Sequence, residues 1–542
     1  MPSASQSTIG GSARILSGCI LLSRILGFIR DMLCGGFFGW VWDAFVLAFT
    51  IPNLFRRLFG EGALSSAFIP TFSDYLTHKP QSETQRFINI VTTTLAVILG
   101  GIALIIIGVS FLLPQVMTSD KNPDYIPLFA LLLRIMIPYL PIICLVALLT
   151  AILNSLKHFV VPALASVVLN ISWIAAFVIA PLMTKDPERQ VVIIAWAIII
   201  GGVFELLMQI PPLLARGFSY KPAWQFNHPG VKETMRLMGP ATFGLAVFQI
   251  NLLVDYIIAL SFVRTDGAIS ALYFGNRIMQ FPLALIGISL ATASFPFLTE
   301  YVSRNNLVEL KKEVGRTLRL AMFVAIPAGI GLIVLVGPIV DLGFNILPKV
   351  MFKAKGFDAG ATSRTALVLA FYSLGIWAYC GLQIINRVFY AFKDTKTPVR
   401  VGIWTVAANL VLNIILVQFL AEGGIALATA VTAMANFFIL FYLAQKKIAV
   451  PSSDASGQGW QREDFSLPFL KSLVVSLVMG NFCYLALFGS YHLVTGMPLV
   501  LGGIIQVCLP LLVGVISYFV LSWFLQRAQL KEFWNTFIKS SK

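Results

Sequence analysis

The sequence predicts an all-α protein that crosses a membrane many times, and three observations support this prediction. Of its 542 residues, 58% are hydrophobic and only 12% are charged, whereas an average soluble domain has about 25% charged residues. The mean hydropathy is +0.85. Uninterrupted apolar runs of about 20 residues, the length that a helix needs to cross a bilayer, recur along the chain. Outer-membrane barrels have short alternating segments instead, so that class is excluded.

The N-terminal segment is expected to remain in the protein as its first span. The stretch MPSASQSTIGGSAR is weakly basic, and no cleavage motif of small residues follows the apolar run. The six cysteines lie in apolar runs without metal-ligand spacing, and the four histidines are scattered in or beside loops. We therefore predict no metal site and no cofactor, and we interpret the cysteines as small buried apolar residues.

Apolar runs separated by polar loops predict fourteen membrane-spanning helices. Their approximate ranges are 12–34, 40–70, 88–114, 127–153, 160–182, 190–214, 238–263, 270–299, 317–341, 364–391, 399–420, 424–445, 467–490 and 498–526.

The distribution of basic residues predicts the orientation. With the N-terminus in the cytoplasm, most of the 39 Lys and Arg residues fall in cytoplasmic segments, which is the positive-inside pattern. Dense groups lie around Lys311 and Lys312, after Lys446 and in the C-terminal tail. Both termini are therefore expected to be cytoplasmic. The net charge of +15 then reflects topology and contact with anionic lipid, and a nucleic-acid partner is not expected.

Two pairs of segments indicate an internal repeat. AFIPTFSDY (67–75) aligns with ASFPFLTEY (293–301), and NSLKHFVVP aligns with YAFKDTKTP, so that Lys157 and Lys393 each precede a proline by the same spacing. These pairs match helix 2 with helix 8 and helix 4 with helix 10. Six helices per repeat predict two parallel six-helix lobes around a central cavity, as in transporters whose halves share one orientation.

The repeat also sets the predicted domain boundaries. An N-lobe (helices 1–6) covers 1–237 and a C-lobe (helices 7–12) covers 238–450. A polar linker occupies 451–466, and helices 13 and 14 with a cytoplasmic tail occupy 467–542. The loops are too short for a catalytic domain, and neither a phosphate-binding loop nor a nucleophile elbow is present. We predict a transporter that works by alternating access, not an enzyme.

Arginines inside the predicted spans are the strongest functional signal. A central arginine costs about 2.5–3.5 kcal/mol on insertion scales, and such residues usually face an interior or a wet cavity. Arg134 and Arg387 lie near helix ends, where snorkelling is the alternative explanation. The others are Arg24, Arg30, Arg56, Arg57 and Arg277.

The acids in these spans are too few to neutralise the arginines. Pairing Asp31 with Arg30, and Glu61 with its i,i+4 neighbour Arg57, still leaves positive charge in excess. Excess arginine predicts an anionic ligand, because the guanidinium fork binds phosphate or carboxylate oxygens and does not deprotonate. An exporter of cationic drugs would instead need surplus acid in its cavity.

Four stretches carry a specific family resemblance. They are SRILGFIRD (23–31), DAF (43–45), IPNLFRRLFGEGALSSAFIP (51–70) and NRIMQFPLALIGISLA (276–291). Through them the chain closely resembles the MurJ (MviN) family of lipid II flippases, within the multidrug/oligosaccharidyl-lipid/polysaccharide exporter superfamily. The similarity extends over essentially the whole chain, and the segment 51–70 is its most specific part.

The resemblance implies a substrate and a set of site residues. The substrate would be lipid II, an undecaprenyl-pyrophosphate-linked muropeptide, moved to the outer leaflet of the bacterial inner membrane for cell-wall synthesis. Helices 13 and 14 would form a groove for its lipid tail. The substrate-binding residues implied are Arg24, Arg30, Asp31, Asp43, Asn53, Arg56 and Arg277, and the gating residues are Arg57 and Glu61.

An oligomeric state and partners are also expected, and the sequence departs from the family pattern in three places. We expect a monomer, with a coupling ion and cell-wall synthesis proteins as candidate partners. The stretch before Asp43 is about two residues shorter than the family pattern, Asn276 replaces an acid found in some relatives, and the loop 342–363 is basic for an external loop. The alternatives are a flippase for another polyprenyl-linked saccharide, a multidrug or cation antiporter, a membrane-embedded enzyme and a cell-wall scaffold.

Overall fold

A computed structural model describes residues 6–58, 64–117, 122–225, 227–448 and 465–537. Over these ranges the chain is helical, without β-strands. The first nine helices are α1 (Gln6–Cys34), α2 (Trp40–Phe55), α3 (Leu64–His78), α4 (Gln81–Val116), α5 (Tyr125–Met136), α6 (Tyr139–Ser155), α7 (Val160–Met183), α8 (Pro187–Leu214) and α9 (Pro229–Phe262).

Eleven helices follow them. They are α10 (Ala268–Pro282), α11 (Ser289–Ser303), α12 (Leu307–Asp341), α13 (Leu347–Phe352), α14 (Ala359–Leu374), α15 (Ile376–Ala391), α16 (Lys396–Leu420), α17 (Glu422–Ile448), α18 (Ser466–Leu493), α19 (Leu499–Leu525) and α20 (Arg527–Phe537). A π-helical turn joins α10 to α11, and a second π-helical turn joins α12 to α13.

Side-chain caps begin several of these helices. Asp186 and Asp358 accept backbone N–H bonds at the starts of α8 and α14, and Asn306 does so at the start of α12. Such caps satisfy N–H groups that have no partner within the helix. The helix ends that carry them are therefore determined by local sequence.

The described residues form ten helical segments long and apolar enough to cross a membrane, or eleven if the pair α14 and α15, bent by 45°, is one span. Large apolar side chains such as Leu104, Leu182 and Phe419 are exposed on these helices, as expected where a protein contacts lipid. The chain is therefore a multi-pass membrane protein. The helix α1, which carries Arg24, Arg30 and Asp31, is not among the ten.

The chain divides into two compact units, and the division falls inside α9. The first unit comprises Met1–Val254 with Arg264–Gly267, and the second comprises Asp255–Val263 with Ala268–Lys542. The sequence places a lobe boundary nearby, at 237/238. It treats helices 13 and 14 as separate from the C-lobe, whereas α18 and α19 cluster within the second unit.

Contacts on α12 explain why α18 to α20 belong to the second unit. The Tyr518 hydroxyl of α19 donates to the Phe323 carbonyl oxygen at 2.6 Å. Gly480 of α18 lies so close to Ile330 that a Cβ there would come within 2.8 Å of it. Arg319 Nη2 lies 3.4 Å from Glu532 Oε1 of α20. These contacts bind the last three helices along one face of α12.

The predicted internal repeat aligns two helix ends, which are those at Lys157 and Lys393. Lys157 and Lys393 follow α6 and α15 with left-handed φ angles of 59° and 57°. Each donates its N–H to the carbonyl three residues back, and the next N–H reaches the carbonyl five residues back, as in His158 to Leu153 and Asp394 to Phe389. This is the Schellman arrangement of a helix C-terminus. The two aligned segments therefore end their helices in the same way.

The second copy of this turn also carries an ion pair. Lys447 Nζ lies 2.5 Å from Asp394 Oδ2, and Thr397 donates to the same carboxylate. Burial of Asp394 opposes ionisation, but these donors outweigh it and lower the pKa of Asp394 to about 2. The ion pair thus joins the start of α16 to the end of α17.

Candidate functional site

Arg30 is held by polar contacts from α1 and α7. Its Nε and Nη2 donate to Asp31 Oδ1 at 3.0 and 2.7 Å, and its Nη1 donates to Asn170 Oδ1 at 3.0 Å. The guanidinium also lies 5.2 Å from the centre of the Trp173 ring, a cation–π distance. The predicted Arg30–Asp31 pair is present.

Asn170 is a partner that the sequence analysis did not single out. Its amide group also donates to the Ser23 carbonyl oxygen at 3.2 Å, so it binds α1 at two points about two turns apart. Because Asn170 is buried among apolar residues of α7, it fixes the side-chain direction of Arg30. The signal for this residue in the sequence was a lone asparagine within the apolar run of the fifth predicted span, 160–182.

Arg24 lies on the same helix in a different environment. It is exposed and makes no hydrogen bond or ion pair with another described residue. Its seven-residue spacing to Asp31 puts both on one side of α1, yet Asp31 is buried. Arg24 therefore remains available to a ligand in a way that the Asp31 carboxylate is not.

Arg56 and Arg57 lie where α2 ends. Pro52 lies inside α2, and a π-helical turn follows at residues 56–58. Arg56 Nε donates to Asn53 Oδ1 at 2.8 Å, and Arg57 Nη1 donates to Gln249 Oε1 of α9 at 3.4 Å. The predicted partner of Arg57, Glu61, lies outside the described residues.

Asp43 receives a hydrogen bond from the segment between α9 and α10. Gly267 N–H donates to Asp43 Oδ2 at 2.8 Å. Gly267 has φ +89°, and a Cβ there would come within 2.5 Å of the Phe38 ring. The buried carboxylate at the start of α2 thus binds the backbone N–H of Gly267. Only glycine adopts the left-handed φ of this turn without strain.

Arg277 belongs to the second unit, in α10. It is half-buried, and its neighbour Asn276 accepts a bond from Gln280 at 2.5 Å. Gly275, on the buried face, lies against Val368 of α14. All the other described site residues belong to the first unit.

Three buried acids among the described residues were missed by the sequence analysis, and besides Glu422 of α17 they are Glu205 and Asp255. Glu205 of α8 is 3% exposed and Asp255 of α9 is 4% exposed. Asp255 Oδ1 accepts a bond from Asn413 Nδ2 at 2.7 Å, and Asn413 in turn donates to Asn409. Glu205 and Asp255 are each isolated in a long apolar run, in FELLMQI and LLVDYII, and that isolation was the available signal.

The described part of the candidate site in the first unit is rich in arginine. Among the described residues, four arginines (Arg24, Arg30, Arg56 and Arg57) lie in or beside α1 and α2, and Asp31 and Asp43 are the buried acids of the same two helices. Among the residues that the structure describes, no group of three or more His, Cys, Asp and Glu side chains could hold a metal ion. The site is suited to binding an anion through guanidinium groups.

Arginines in the apolar helices of a multi-pass membrane protein are typical of transporters. The family model described as "Lipid II flippase MurJ" matches residues 37–501. The chain belongs to the MurJ family of lipid II flippases.

Individual relatives agree with this assignment. The chain is 33% identical over 437 residues to the probable lipid II flippase MurJ of Buchnera aphidicola subsp. Acyrthosiphon pisum, covering 79% of this chain and 82% of that protein. It is 33% identical over 456 residues to the lipid II flippase MurJ of Burkholderia cenocepacia, covering 82% and 85%.

Solved structures share the fold. An inward closed conformation of a lipid II flippase MurJ superposes with a TM-score of 0.72 at 24% identity, covering 94% of this chain and 98% of that one. An inward-facing multidrug transporter of the MATE family superposes with a TM-score of 0.64 at 12% identity, covering 80% and 98%.

Proposed function

We propose that this protein is a lipid II flippase that moves the undecaprenyl-pyrophosphate-linked muropeptide from the cytoplasmic to the outer leaflet. The observation that carries the proposal is the group of arginines in or beside α1 and α2, with Arg30 oriented by Asp31 and Asn170. Guanidinium groups so held favour the dispersed negative charge of a pyrophosphate. Membership of the MurJ family supports the same substrate.

The proposed mechanism is alternating access of a central cavity between two six-helix lobes. Arg24, Arg30 and Arg277 bind the pyrophosphate while the cavity is open to the cytoplasm. Neutralising the mutual repulsion of the arginines lets the lobes close. Arg56 then joins the bound headgroup, and contacts of Arg57 with its partners, Glu61 included, rearrange.

The lipid tail stays in the bilayer throughout the cycle. Helices 13 and 14, which correspond to α18 and α19, guide it along their apolar faces. Moving the tail through a polar cavity would cost about 0.8 kcal/mol per CH₂. Only the headgroup therefore enters the cavity.

The membrane potential determines the direction in which the headgroup is transported. Each negative charge that moves outward across the whole field gains about 2.3 kcal/mol per 100 mV. An anionic headgroup is therefore driven outward without ATP, and a coupling ion would serve to reset the carrier.

The proposal includes a topology. The fourteen predicted spans place both termini in the cytoplasm of a bacterium and the protein in its inner membrane, as a monomer. Cell-wall synthesis proteins that consume lipid II on the outer surface are the expected partners. This orientation follows from the basic cytoplasmic loops.

Complementation of a flippase-depleted bacterium tests the function. We expect the wild-type chain to restore lipid II at the outer surface, and Arg30→Ala, Arg56→Ala and Arg277→Ala to insert normally but to fail. Accessibility of lipid II to an external enzyme is the readout, and membrane abundance is the control. Normal translocation by all three variants would exclude the assigned site, and failure of the wild-type chain would exclude the substrate.

A further inference from the structure

The segment between α12 and α14 carries three lysines on the side of the membrane where the proposed topology expects few. We call this segment, residues 342–358, the lysine loop, and the proposed topology places it on the outer surface. Lys349, Lys353 and Lys355 are exposed, and none of them forms a hydrogen bond or an ion pair with another described residue. Outer loops are normally poor in Lys and Arg. Orientation in the membrane therefore does not explain these charges.

The acids at the two ends of the lysine loop are already bound elsewhere. Asp341, at the end of α12, accepts a hydrogen bond from Asn345 Nδ2 at 2.7 Å. Asp358 caps α14 by accepting the Ala361 N–H at 2.7 Å. The lysines lie between these acids and remain available to an anion from outside.

The base of the lysine loop is tightly folded. The rings of Phe344 and Phe357 lie 5.3 Å apart, and the Phe357 N–H donates to the Phe344 carbonyl oxygen at 2.9 Å. Gly356 lies so close to Asn345 that a Cβ there would come within 2.6 Å of the Asn345 carbonyl oxygen. The two ends of the loop are thus bound to each other, and the lysines extend from a defined support.

The helix α10 packs against this base. The Phe274 ring of α10 lies 4.8 Å from the Phe344 ring and 5.2 Å from the Phe357 ring, and all three side chains are buried. Arg277 follows Phe274 by three residues, which is about 4.5 Å along the helix axis. The lysine loop therefore lies at the end of the helix that carries a proposed pyrophosphate ligand.

The helix α19 packs against the same loop. A Cβ at Gly503 would come within 2.9 Å of Ile346 and 3.0 Å of Leu342. In the proposed function α19 is one of the two helices that guide the lipid tail. The lysine loop therefore contacts one helix of the headgroup site and one helix of the tail path, all within the second unit.

Apolar side chains accompany the lysines. Val350 and Met351, which directly follow Lys349, are 52% and 60% exposed. Exposed apolar residues beside lysines are typical of segments that lie at the boundary between lipid headgroups and acyl chains. A phosphate of a membrane lipid at this boundary can reach the lysines while its tail stays in the bilayer.

We propose that Lys349, Lys353 and Lys355 form an outer binding site for the pyrophosphate of the translocated lipid. This inference rests on the proposed function. The pyrophosphate joins the headgroup to the tail, so a substrate that leaves Arg277 with its tail along α19 brings the pyrophosphate to the lysine loop. Lysine ammonium groups bind phosphate oxygens as point charges, and three of them suit a group with several anionic oxygens.

Photocrosslinking tests the contact directly. The full-length protein, with a photoreactive amino acid in place of Val350, is reconstituted with lipid II in phosphatidylcholine nanodiscs and irradiated. We expect lipid II to be crosslinked at this position. The same amino acid in place of Met183 is the matched control, since Met183 is exposed at another outer turn and lies near two exposed basic residues, Lys185 and Arg189. Crosslinking there should be at least about tenfold weaker.

Charge variants test the lysines. Lys349→Gln, Lys353→Gln and Lys355→Gln combined should lower crosslinking at position 350 by about tenfold, because each exposed charge contributes modestly to the total. The corresponding Lys→Arg substitutions keep the charge and should keep the crosslink. Raising the salt from about 0.1 M to about 1 M should also weaken it, because salt screens exposed charges. Thermal unfolding in detergent confirms that each variant is folded.

A second lipid distinguishes the pyrophosphate from membrane phosphate in general. Nanodiscs in which part of the phosphatidylcholine is replaced by phosphatidylglycerol offer a competing anionic lipid. We expect lipid II to remain the crosslinked species. Crosslinking of phosphatidylglycerol in preference to lipid II would show a general anionic-lipid surface and would overturn the outer site.

The outcomes separate this inference from the proposed function. Equal crosslinking at positions 350 and 183, or undiminished crosslinking in the folded triple Lys→Gln variant, overturns the outer site. The flippase function still stands in that case, provided that the wild-type chain complements the flippase-depleted bacterium. Failure of that complementation overturns the proposed function and the outer site with it.

Discussion

At the scale of single residues, the Arg30 site depends on the shape of the side chain as well as on its charge. Three nitrogens of the guanidinium reach two acceptors on different helices, Asp31 and Asn170. A lysine ammonium is a compact point charge that cannot reproduce this fork. Replacing Arg30 by lysine therefore tests the geometry of the side chain separately from its charge, because the charge is kept and the fork is lost.

We expect Arg30→Lys to lower lipid II translocation by at least about tenfold, although net charge is unchanged, because one lost charge-assisted bond is worth roughly 1.5–3 kcal/mol. Outer-surface lipid II per unit of membrane-inserted protein is the measurement. Arg189→Lys, at the exposed start of α8, is the matched control and should translocate normally. Full activity of Arg30→Lys would mean that charge alone suffices.

At the scale of elements, the turn before α10 is adapted to Asp43. Gly267 and Gly496 are both turn glycines, with φ of +89° and +84°. A Cβ at Gly267 would overlap the Phe38 ring, whereas a Cβ at Gly496 would have nothing within 4 Å. Backbone strain is therefore similar at the two positions, and steric overlap differs.

We expect Gly267→Ala to destabilise the protein more than Gly496→Ala does. Both substitutions introduce a left-handed backbone cost of about 1–2 kcal/mol. Gly267→Ala must also displace Phe38, which disturbs the hydrogen bond from Gly267 to Asp43. Thermal unfolding in detergent compares the two variants, and equal shifts in Tm would contradict the role assigned to Phe38.

At the scale of the whole molecule, two helix ends that the predicted repeat aligns have the same backbone turn. Lys157 and Lys393 lie in different units, yet both occupy the left-handed position of a Schellman turn, and both are exposed. Glycine is the usual residue at this position because it lacks the Cβ that makes left-handed φ costly.

We expect Lys157→Gly and Lys393→Gly each to raise stability by about 1 kcal/mol, because both remove the same backbone strain. The Lys393 effect should also be insensitive to acid above pH 4, since the neighbouring Asp394 has a pKa of about 2 and remains ionised there. Thermal unfolding of the single and double variants is the measurement. Additive gains are expected for sites in separate units, and a loss of stability at either position would refute the shared geometry.

The sequence by itself determined the class of protein and identified the charged residues of the candidate site, whereas the fourteen predicted spans compare with ten or eleven among the described residues. These follow from composition, from apolar run length and from i,i+1 or i,i+3 neighbours such as Arg30 with Asp31 and Asn53 with Arg56. Such properties are local, so a single chain segment contains all the information that they need.

Only the tertiary structure decided which distant residues complete the site. Asn170 binds Arg30 across 140 residues of sequence, and Gly267 binds Asp43 across 224. Glu205 appeared in the sequence as an isolated acid, and only the packing of α8 shows that it is buried. Apolar periodicity specifies that a helix is buried but not which side chain of another helix it meets, because that choice depends on how the helices pack together.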